Sequence, residues 1–298
     1  MKRIKAFAKI NLTLDITGRR EDGYHLLRSI MQQIYPCDFV EVKKADSISL
    51  KLFCDDEPGS SHDVVPADER NIAWKAAELI LKEAGIDSGV EITLKKSIPA
   101  AAGLAGGSTD AAAVLKGVNE LYEIGYDTDK LCELGVKLGA DVPFCIRGGT
   151  AMAEGIGDKL TPLPTPDKAY ILLVKPPIAV STKEVYEAYD ALEPSEREDK
   201  SGRLEKLLKE GGADPQAVCG CLMNVLAGVT EAQHPMIKEI REKMTELGAE
   251  GALMSGSGPS VFGIFSDGDK AKEAYKRMTD LYPDAYRAIC SFANGGEE

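Results

Sequence analysis

The 298-residue chain is short of several features that would set its chemistry at once. Its three histidines, His25, His62 and His234, lie far apart and outside any H-E-x-x-H pattern, so a zinc site is not expected. The seven cysteines are scattered, with only Cys219 and Cys221 close together, and no C-x-x-C occurs. An odd, unpatterned set fits reduced thiols in a cytoplasmic protein better than a disulfide framework. No apolar run approaches the length of a membrane span; the longest, residues 170–174 and 261–265, are strand-sized. The basic start, MKRIKAFAKINLTLDI, is broken by Lys5, Lys9 and Asn11, and reads as a strand rather than a secretion signal. Acidic residues outnumber basic ones, 48 to 36. A net charge of −12 argues against a partner that is nucleic acid or an anionic membrane surface. Any polyanionic ligand must be held by local dipoles, a few placed cations and metal.

What is abundant is small residues in one place. Residues 98–113 read IPAAAGLAGGSTDAAA, a Gly/Ala run that passes straight into a helix-forming segment. Glycine allows close backbone approach and positive φ, and a helix start offers unpaired N–H groups and a positive dipole end. The run has no P-loop lysine, and the spacing of Gly103, Gly106 and Gly107 is not G-x-G-x-x-G. A phosphate cradle and a tight strand-to-helix turn both fit the loop taken alone. A second cluster, SGSGPS at 255–260, reads first as a hairpin connection between apolar strands, and otherwise as another backbone wall against a ligand.

Periodicity organises the rest. Strands are expected over 5–16, 26–34, 39–52 and 89–98, with a polar turn at 18–23 and an acidic loop at 55–69. A helix starts at Asn71 and is closed by Gly85. After the Gly/Ala loop, Val114, Leu115, Val118, Leu121 and Tyr122 form one helical stripe with Ser108 or Thr109 as N-cap. A helix over 129–138 follows. The Pro-rich stretch 161–167 is the best linker, dividing the chain into domains 1–160 and 161–298. Beyond it come a strand (169–175), a helix (182–192), a charged stretch (193–210) read as a solvated helix or insertion, and helices at 217–226 and 236–247. Strand, strand, helix and strand then occupy 251–254, 260–265, 270–281 and 285–291, and the β-α-β-β-α-β order predicts a ferredoxin-like second half.

A few polar residues stand out against this background. Asp141 lies just past a helix end and before Val142-Pro143, a pre-organised position that suits a turn-stabilising carboxylate or one that accepts a hydroxyl proton. Lys9 and Asn11 share one face of an otherwise apolar strand, as an edge lysine would, or as one lining a cleft to neutralise phosphate. In the turn Asp22-Gly23-Tyr24-His25, Tyr24 is either a surface aromatic or a platform for a planar base whose edge His25 hydrogen-bonds. Asn71 is an N-cap or reads an adenine edge.

Three separated segments resemble the motifs of the GHMP small-molecule kinases: AKIN with GYH (Ala8–Asn11, Gly23–His25), PAAAGLAGGSTDAAA (99–113) and SGSGPS (255–260). The resemblance covers essentially the whole chain. It implies an α+β, two-domain GHMP-kinase-like fold, with an N-terminal mixed βαβ domain, a C-terminal ferredoxin-like domain and the active site in the cleft between them. It implies a kinase that moves the ATP γ-phosphate onto an alcohol, here one carrying a cytidine diphosphate group, in a monomer or homodimer. Asp141 is then the catalytic carboxylate, and Lys9 keeps it ionised and stabilises charge at the reacting oxygen. ATP phosphates would be wrapped by Pro99, Ala101, Gly103, Leu104, Ala105, Gly106, Gly107, Ser108 and Thr109, with Mg²⁺ near Ser108. Asn71, Lys95 and Lys96 would lie near the adenine. Tyr24 would stack on the cytosine, with Asn11, His25, Thr182 and Tyr186 completing the substrate pocket. The loop departs from the fullest family form at Ala101, Ala102 and Ala105, where Gly can occur, and at Asp110. The cradle survives those alanines if none of the positions needs positive φ.

Overall fold

The computed structural model describes residues 1–54, 65–192, 197–211 and 213–294. Parts of the expected loop at 55–69 and of the charged stretch at 193–210 therefore lie outside the described residues. Strands β1 (Lys2–Arg19), β2 (His25–Ala45) and β3 (Ser49–Cys54) lead into helix α1 (Ile72–Glu83) and strand β4 (Gly89–Lys96). Helices α2 (Gly106–Leu121), α3 (Thr128–Val136) and α4 (Val142–Arg147) follow, then strands β5 (Thr150–Gly155) and β6 (Lys159–Leu163). The second half runs β7 (Tyr170–Lys175), α5 (Thr182–Asp190), α6 (Lys200–Glu210), α7 (Pro215–Cys221), β8 (Met223–Asn224), α8 (Ala227–Gln233), α9 (Pro235–Glu246), β9 (Gly251–Met254), β10 (Val261–Phe265), α10 (Gly268–Leu281) and β11 (Tyr286–Cys290).

The spine is the long antiparallel β1–β2 pair. β2 changes partner along its length: residues 27–32 pair with β5 and residues 39–45 with β4. With β3, β6 and the short parallel strand β8 this makes a seven-stranded sheet. The second sheet has the order β11-β7-β10-β9 and is antiparallel throughout, the arrangement a β-α-β-β-α-β unit adopts. Strand alternation sets the layers. Ala8, Ile10 and Leu12 of β1, with Ile30 and Ile34 of β2, pack against Ile171, Leu173, Phe262 and Ile264 of the second sheet. The first sheet's other face, with Val40, Val42, Ile92 and Leu94, is covered by Ala76, Ile80, Val114, Leu115 and Val118 of α1 and α2. Outside the second sheet, Ile237, Ile240 and Met244 of α9 and Ala271, Ala274 and Met278 of α10 close the stack. The order is helices, sheet, sheet, helices. Among the described residues no helix is long and apolar enough to cross a membrane.

Several boundaries differ from the sequence reading, each for a local reason. Helix α2 begins at Gly106, with Ala105 in the N-cap position at φ 59°, so Ser108 and Thr109 sit inside its first turn and cap nothing. Asp141 is followed by a further short helix, α4, because Pro143 is well placed in a first helical turn. The stretch expected as one helix at 217–226 is split, since Leu222 turns extended (ψ 131°) and the Asn224 side chain accepts from the Leu226 N–H. β6 runs across the Pro-rich segment and belongs to the first sheet.

Candidate active site

The middle of β1 carries Lys9 and Asn11 on the face opposite Ala8 and Ile10. The Lys9 ammonium is buried and donates to Asn11 Oδ1 at 2.8 Å. Asn11 is fixed in turn, its Nδ2 donating to Ser29 Oγ (2.8 Å), which donates to the Thr13 carbonyl (2.5 Å). Asp141 arrives from the α3–α4 junction. It occupies the N-cap position of α4, yet its carboxylate makes no capping bond, and Oδ2 lies 3.5 Å from Lys9 Nζ. The lysine side chain is 6% exposed and the aspartate 32%, so the carboxylate is the member of the pair that an incoming group can reach.

The Gly/Ala loop runs beside this pair, with the Lys9 N–H donating to the Leu104 carbonyl at 3.1 Å. The turn at 255–260 forms its other wall. Gly103 (φ 72°) passes so close that a Cβ there would lie 2.3 Å from the Ser255 carbonyl oxygen, and Ser255 Oγ donates to the Gly103 carbonyl at 3.0 Å. Asn224 Nδ2 holds the turn from behind through the Met254 and Gly256 carbonyls, both at 2.8 Å. The two clusters that were separate in sequence are one structure. Leu104 is buried in the inter-sheet core and Thr109 is buried too, leaving Gly106, Gly107 and Ser108 as the accessible part of the α2 start. Ala101 (φ 49°) and Ala105 (φ 59°) both adopt the left-handed conformation. Two of the three loop alanines thus take the conformation glycine would take more easily, so the loop keeps its path and its N–H groups at a conformational cost.

Asp38, Lys96 and Asp110 form a buried triad under the loop. The Lys96 ammonium bonds Asp38 and, at 2.5 Å, Asp110 Oδ2. Asp38 Oδ1 also accepts the Ser97 and Ile98 N–H groups (2.6 and 2.8 Å), which anchors the strand exit. One cation faces two carboxylates. Burial, partly offset by Lys96 and reinforced by the charge of Asp38, pushes Asp110 up to about 7. Its Oδ1 has no hydrogen-bond partner among the described residues. Burial pulls Lys96 down, but the two carboxylates outweigh it and leave its pKa raised. Lys96 was expected near the adenine; its ammonium is instead committed to this triad. Asn71 is committed likewise, its Oδ1 capping Ala73 N (2.9 Å) and its Nδ2 bound to the Pro66 carbonyl (2.7 Å). Lys95 projects to the other side of β4 and pairs with Glu41 at 3.0 Å. None of the three presents an uncommitted polar group. Asp38 escaped the sequence reading, since an aspartate in a strand carries no local sign of a partner 58 residues away.

Two cavities meet at Asp141. The smaller, about 160 Å³, is lined by Lys9, Asn11, Gly103, Ala105 and Gly256. The larger, about 670 Å³, is lined by Tyr24, His25 and Ser108. Asp141, Thr182 and Tyr186 line both. Tyr24 stands on its turn with 63% of its surface exposed, which is unusual for so large a ring. The His25 and Tyr186 rings lie 4.7 Å apart at 33°. Burial, reinforced by the charge of Asp141, pushes the Tyr186 phenol up to about 12. Thr182 Oγ1 is 2.8 Å from Ser257 Oγ, tying α5 to the glycine turn. The arrangement couples a reachable carboxylate, an adjoining buried ammonium, a loop of backbone N–H groups and an aromatic-lined cleft, the parts a phosphoryl-transfer site needs. Asp190 and Arg19 also belong to the cleft and were missed; Ser257 was covered only through its turn at 255–260. Asp190 meets Arg19 and His25 because the end of α5 lies over the β1–β2 turn, which no local pattern records.

The chain matches the GHMP kinases N terminal domain over residues 71–149 and the GHMP kinases C terminal domain over residues 202–284. It belongs to the GHMP kinase family. Among its relatives, the 4-diphosphocytidyl-2-C-methyl-D-erythritol kinase of Clostridium botulinum (strain Eklund 17B / Type B) is 47% identical over 284 residues, covering 95% of this chain and 98% of the relative. That of Alkaliphilus metalliredigens (strain QYMF) is 45% identical over 286 residues, covering 95% and 94%. A crystal structure of 4-(cytidine 5'-diphospho)-2C-methyl-D-erythritol kinase superposes with a TM-score of 0.78 at 33% identity, covering 99% of this chain and 100% of that one. Homoserine kinase from Cytophaga hutchinsonii shares the fold at 18% identity, with a TM-score of 0.76 over 98% of this chain and 95% of that one.

Proposed function

We propose that this chain transfers the γ-phosphate of ATP to the 2-hydroxyl of 4-diphosphocytidyl-2-C-methyl-D-erythritol, a step in isoprenoid precursor formation. The observation that carries the reading is the Lys9–Asp141 pair at the junction of the two cavities. The acceptor alcohol enters along the larger cavity with its cytosine on Tyr24 and against His25 and Tyr186. Its hydroxyl reaches Asp141, which accepts the proton as the oxygen attacks phosphorus; the ADP oxygen departs on the opposite side. Lys9 stabilises the negative charge that grows on the transferring group, and Asn11 holds the ammonium in place.

ATP is the phosphate donor of GHMP kinases, and the loop from Pro99 to Thr109 is the part of this chain suited to its phosphates, through backbone N–H groups and the α2 dipole. Among the described residues there is no cluster of three or more His, Cys, Asp or Glu side chains that could hold a metal ion. Mg²⁺ would be carried by phosphate oxygens, with the Ser108 hydroxyl on the cavity wall as its protein contact. When bound it neutralises triphosphate charge. We place the division between lobes near residue 160, with the site in the cleft between them. The test is direct: purified protein with ATP, Mg²⁺ and the cytidyl substrate should release ADP and form a phosphorylated product, while mevalonate should give only background. No ADP release from protein that binds ATP would remove the proposal.

A further inference from the structure

His25 and Arg19 stand opposite each other in the β1–β2 register, so their side chains leave the sheet on the same side. Asp190, the last residue of α5, meets both. Its Oδ1 lies 2.6 Å from His25 Nε2, and its Oδ2 lies 3.0 Å from Arg19 Nη1. A carboxylate only accepts, so the first contact requires a hydrogen on Nε2. In the neutral ring the lone pair then falls on Nδ1, which has no hydrogen-bond partner among the described residues. Tyr186 lies against the ring and limits its rotation. Arg19 shares the carboxylate and holds it in place from its other oxygen. Asp22, Asp141, Lys183 and Glu187 line the same cavity, and none of them bonds the ring.

We infer that Asp190, supported by Arg19, is a positioning residue that fixes His25 in the Nε2–H form and thereby makes the cleft select cytosine over uracil. The inference rests on the nucleobase role proposed for this cleft. Cytosine presents an exocyclic amine and uracil a carbonyl oxygen at the same ring position. The Nδ1 lone pair accepts from the amine; against the carbonyl, two acceptors face each other and neither is satisfied. A mismatch of this kind in a desolvated site separates the two bases by roughly 10- to 100-fold. If Asp190 merely tied α5 to the strand pair, removing it would lower stability without touching the choice of base.

The experiment compares the cytidyl substrate with its uridyl counterpart in the intact enzyme and in Asp190→Asn, whose amide can present either a donor or an acceptor to Nε2. The unaltered protein should favour the cytidyl substrate by at least about tenfold in kcat/KM. Asp190→Asn should lose most of that preference through KM for the cytidyl substrate, with KM for ATP within about twofold of the parent, as expected for an interaction confined to the base. Nitrogen-15 spectra of His25 should show the Nε2–H tautomer in the parent and a mixture in the variant. An unchanged preference in folded Asp190→Asn, or an Nδ1–H ring in the parent, overturns the inference. Failure of the parent to turn over either substrate would instead count against the proposed function, with the ring spectrum still deciding the tautomer.

Discussion

Asp141 and Lys9 are 132 residues apart in sequence and 3.5 Å apart in space, and the proposed chemistry depends on both. Asp141→Asn keeps the shape and removes the proton acceptor. We expect kcat to fall by about 10²- to 10⁴-fold, the usual worth of a positioned general base, with ATP affinity within about twofold. Near-parental turnover would take Asp141 out of the mechanism. Tyr24→Ala removes an exposed platform rather than a core ring, so folding is spared. KM for the cytidyl substrate should rise by about tenfold or more, the loss of one base–aromatic stack, and KM for ATP should not move. The third residue-scale prediction concerns the buried triad. Asp110 has a folded pKa near 7 against an ordinary 3.8, so the folded protein holds this proton more tightly than the unfolded chain does. Its contribution is favourable below about pH 4 and is lost as pH rises through about 7. Asp110→Asn should flatten that decline, and thermal melts at pH 8 should show a Tm about 3 °C above the parent's, the shift of a gain of about 1 kcal/mol. A variant melting lower at pH 8 and higher at pH 5 would reverse the assignment. Residues of this kind divide sharply in how far sequence reveals them. Lys9, Asp141 and Tyr24 interrupt patterns, which makes them visible. Asp38 and Asp190 matter through partners brought in from distant elements, and a single sequence contains no record of that pairing.

At the scale of elements, β1 was the most legible, because period 2 states which residues share a face and puts Lys9 with Asn11 opposite Ala8 and Ile10. Short elements such as α4 and α8 were not, since six or seven residues carry too little periodicity to stand out from a turn. The Gly/Ala loop was legible in position and misread in conformation. Its left-handed alanines, Ala101 and Ala105, flank two contacts at its middle, the Lys9 N–H to Leu104 carbonyl bond and the packing of Gly103 on Ser255, neither of which is local. Gly103→Ala would drive a methyl into backbone, not into a side chain able to yield. We expect it to destabilise the protein by more than about 1 kcal/mol and to raise KM for ATP. Ala105→Gly relaxes the left-handed position and should be neutral to stabilising by up to about 1 kcal/mol in denaturant unfolding. If the two substitutions act alike, backbone conformation does not govern the loop.

Across the whole molecule the α+β class and the ferredoxin-like order of the second half were foreseen, but the stacking of the two sheets on one shared core was not. Nor were the crossings between halves. β8 joins the first sheet from the second half, and the C-terminal segment returns to β2, where Ala293 N–H bonds the Gln33 carbonyl at 2.9 Å. Gln32 secures that return, its Nε2 donating to the Gln33 and Ala293 carbonyls and its Oε1 accepting from Thr150 Oγ1. Gln32→Leu should lower stability by roughly 1–3 kcal/mol, the usual cost of buried partners left unpaired, with KM values for both substrates unchanged.

The closeness of Gly103 to Ser255 has a mechanical meaning. The loop follows β4 of the first sheet and the turn joins two strands of the second, and at Gly103 they meet with no Cβ on the loop side to act as a spacer. The loop therefore cannot keep its form if the turn is drawn away from it. A ligand that fixed the loop would fix the turn with it, like a bolt through a joint.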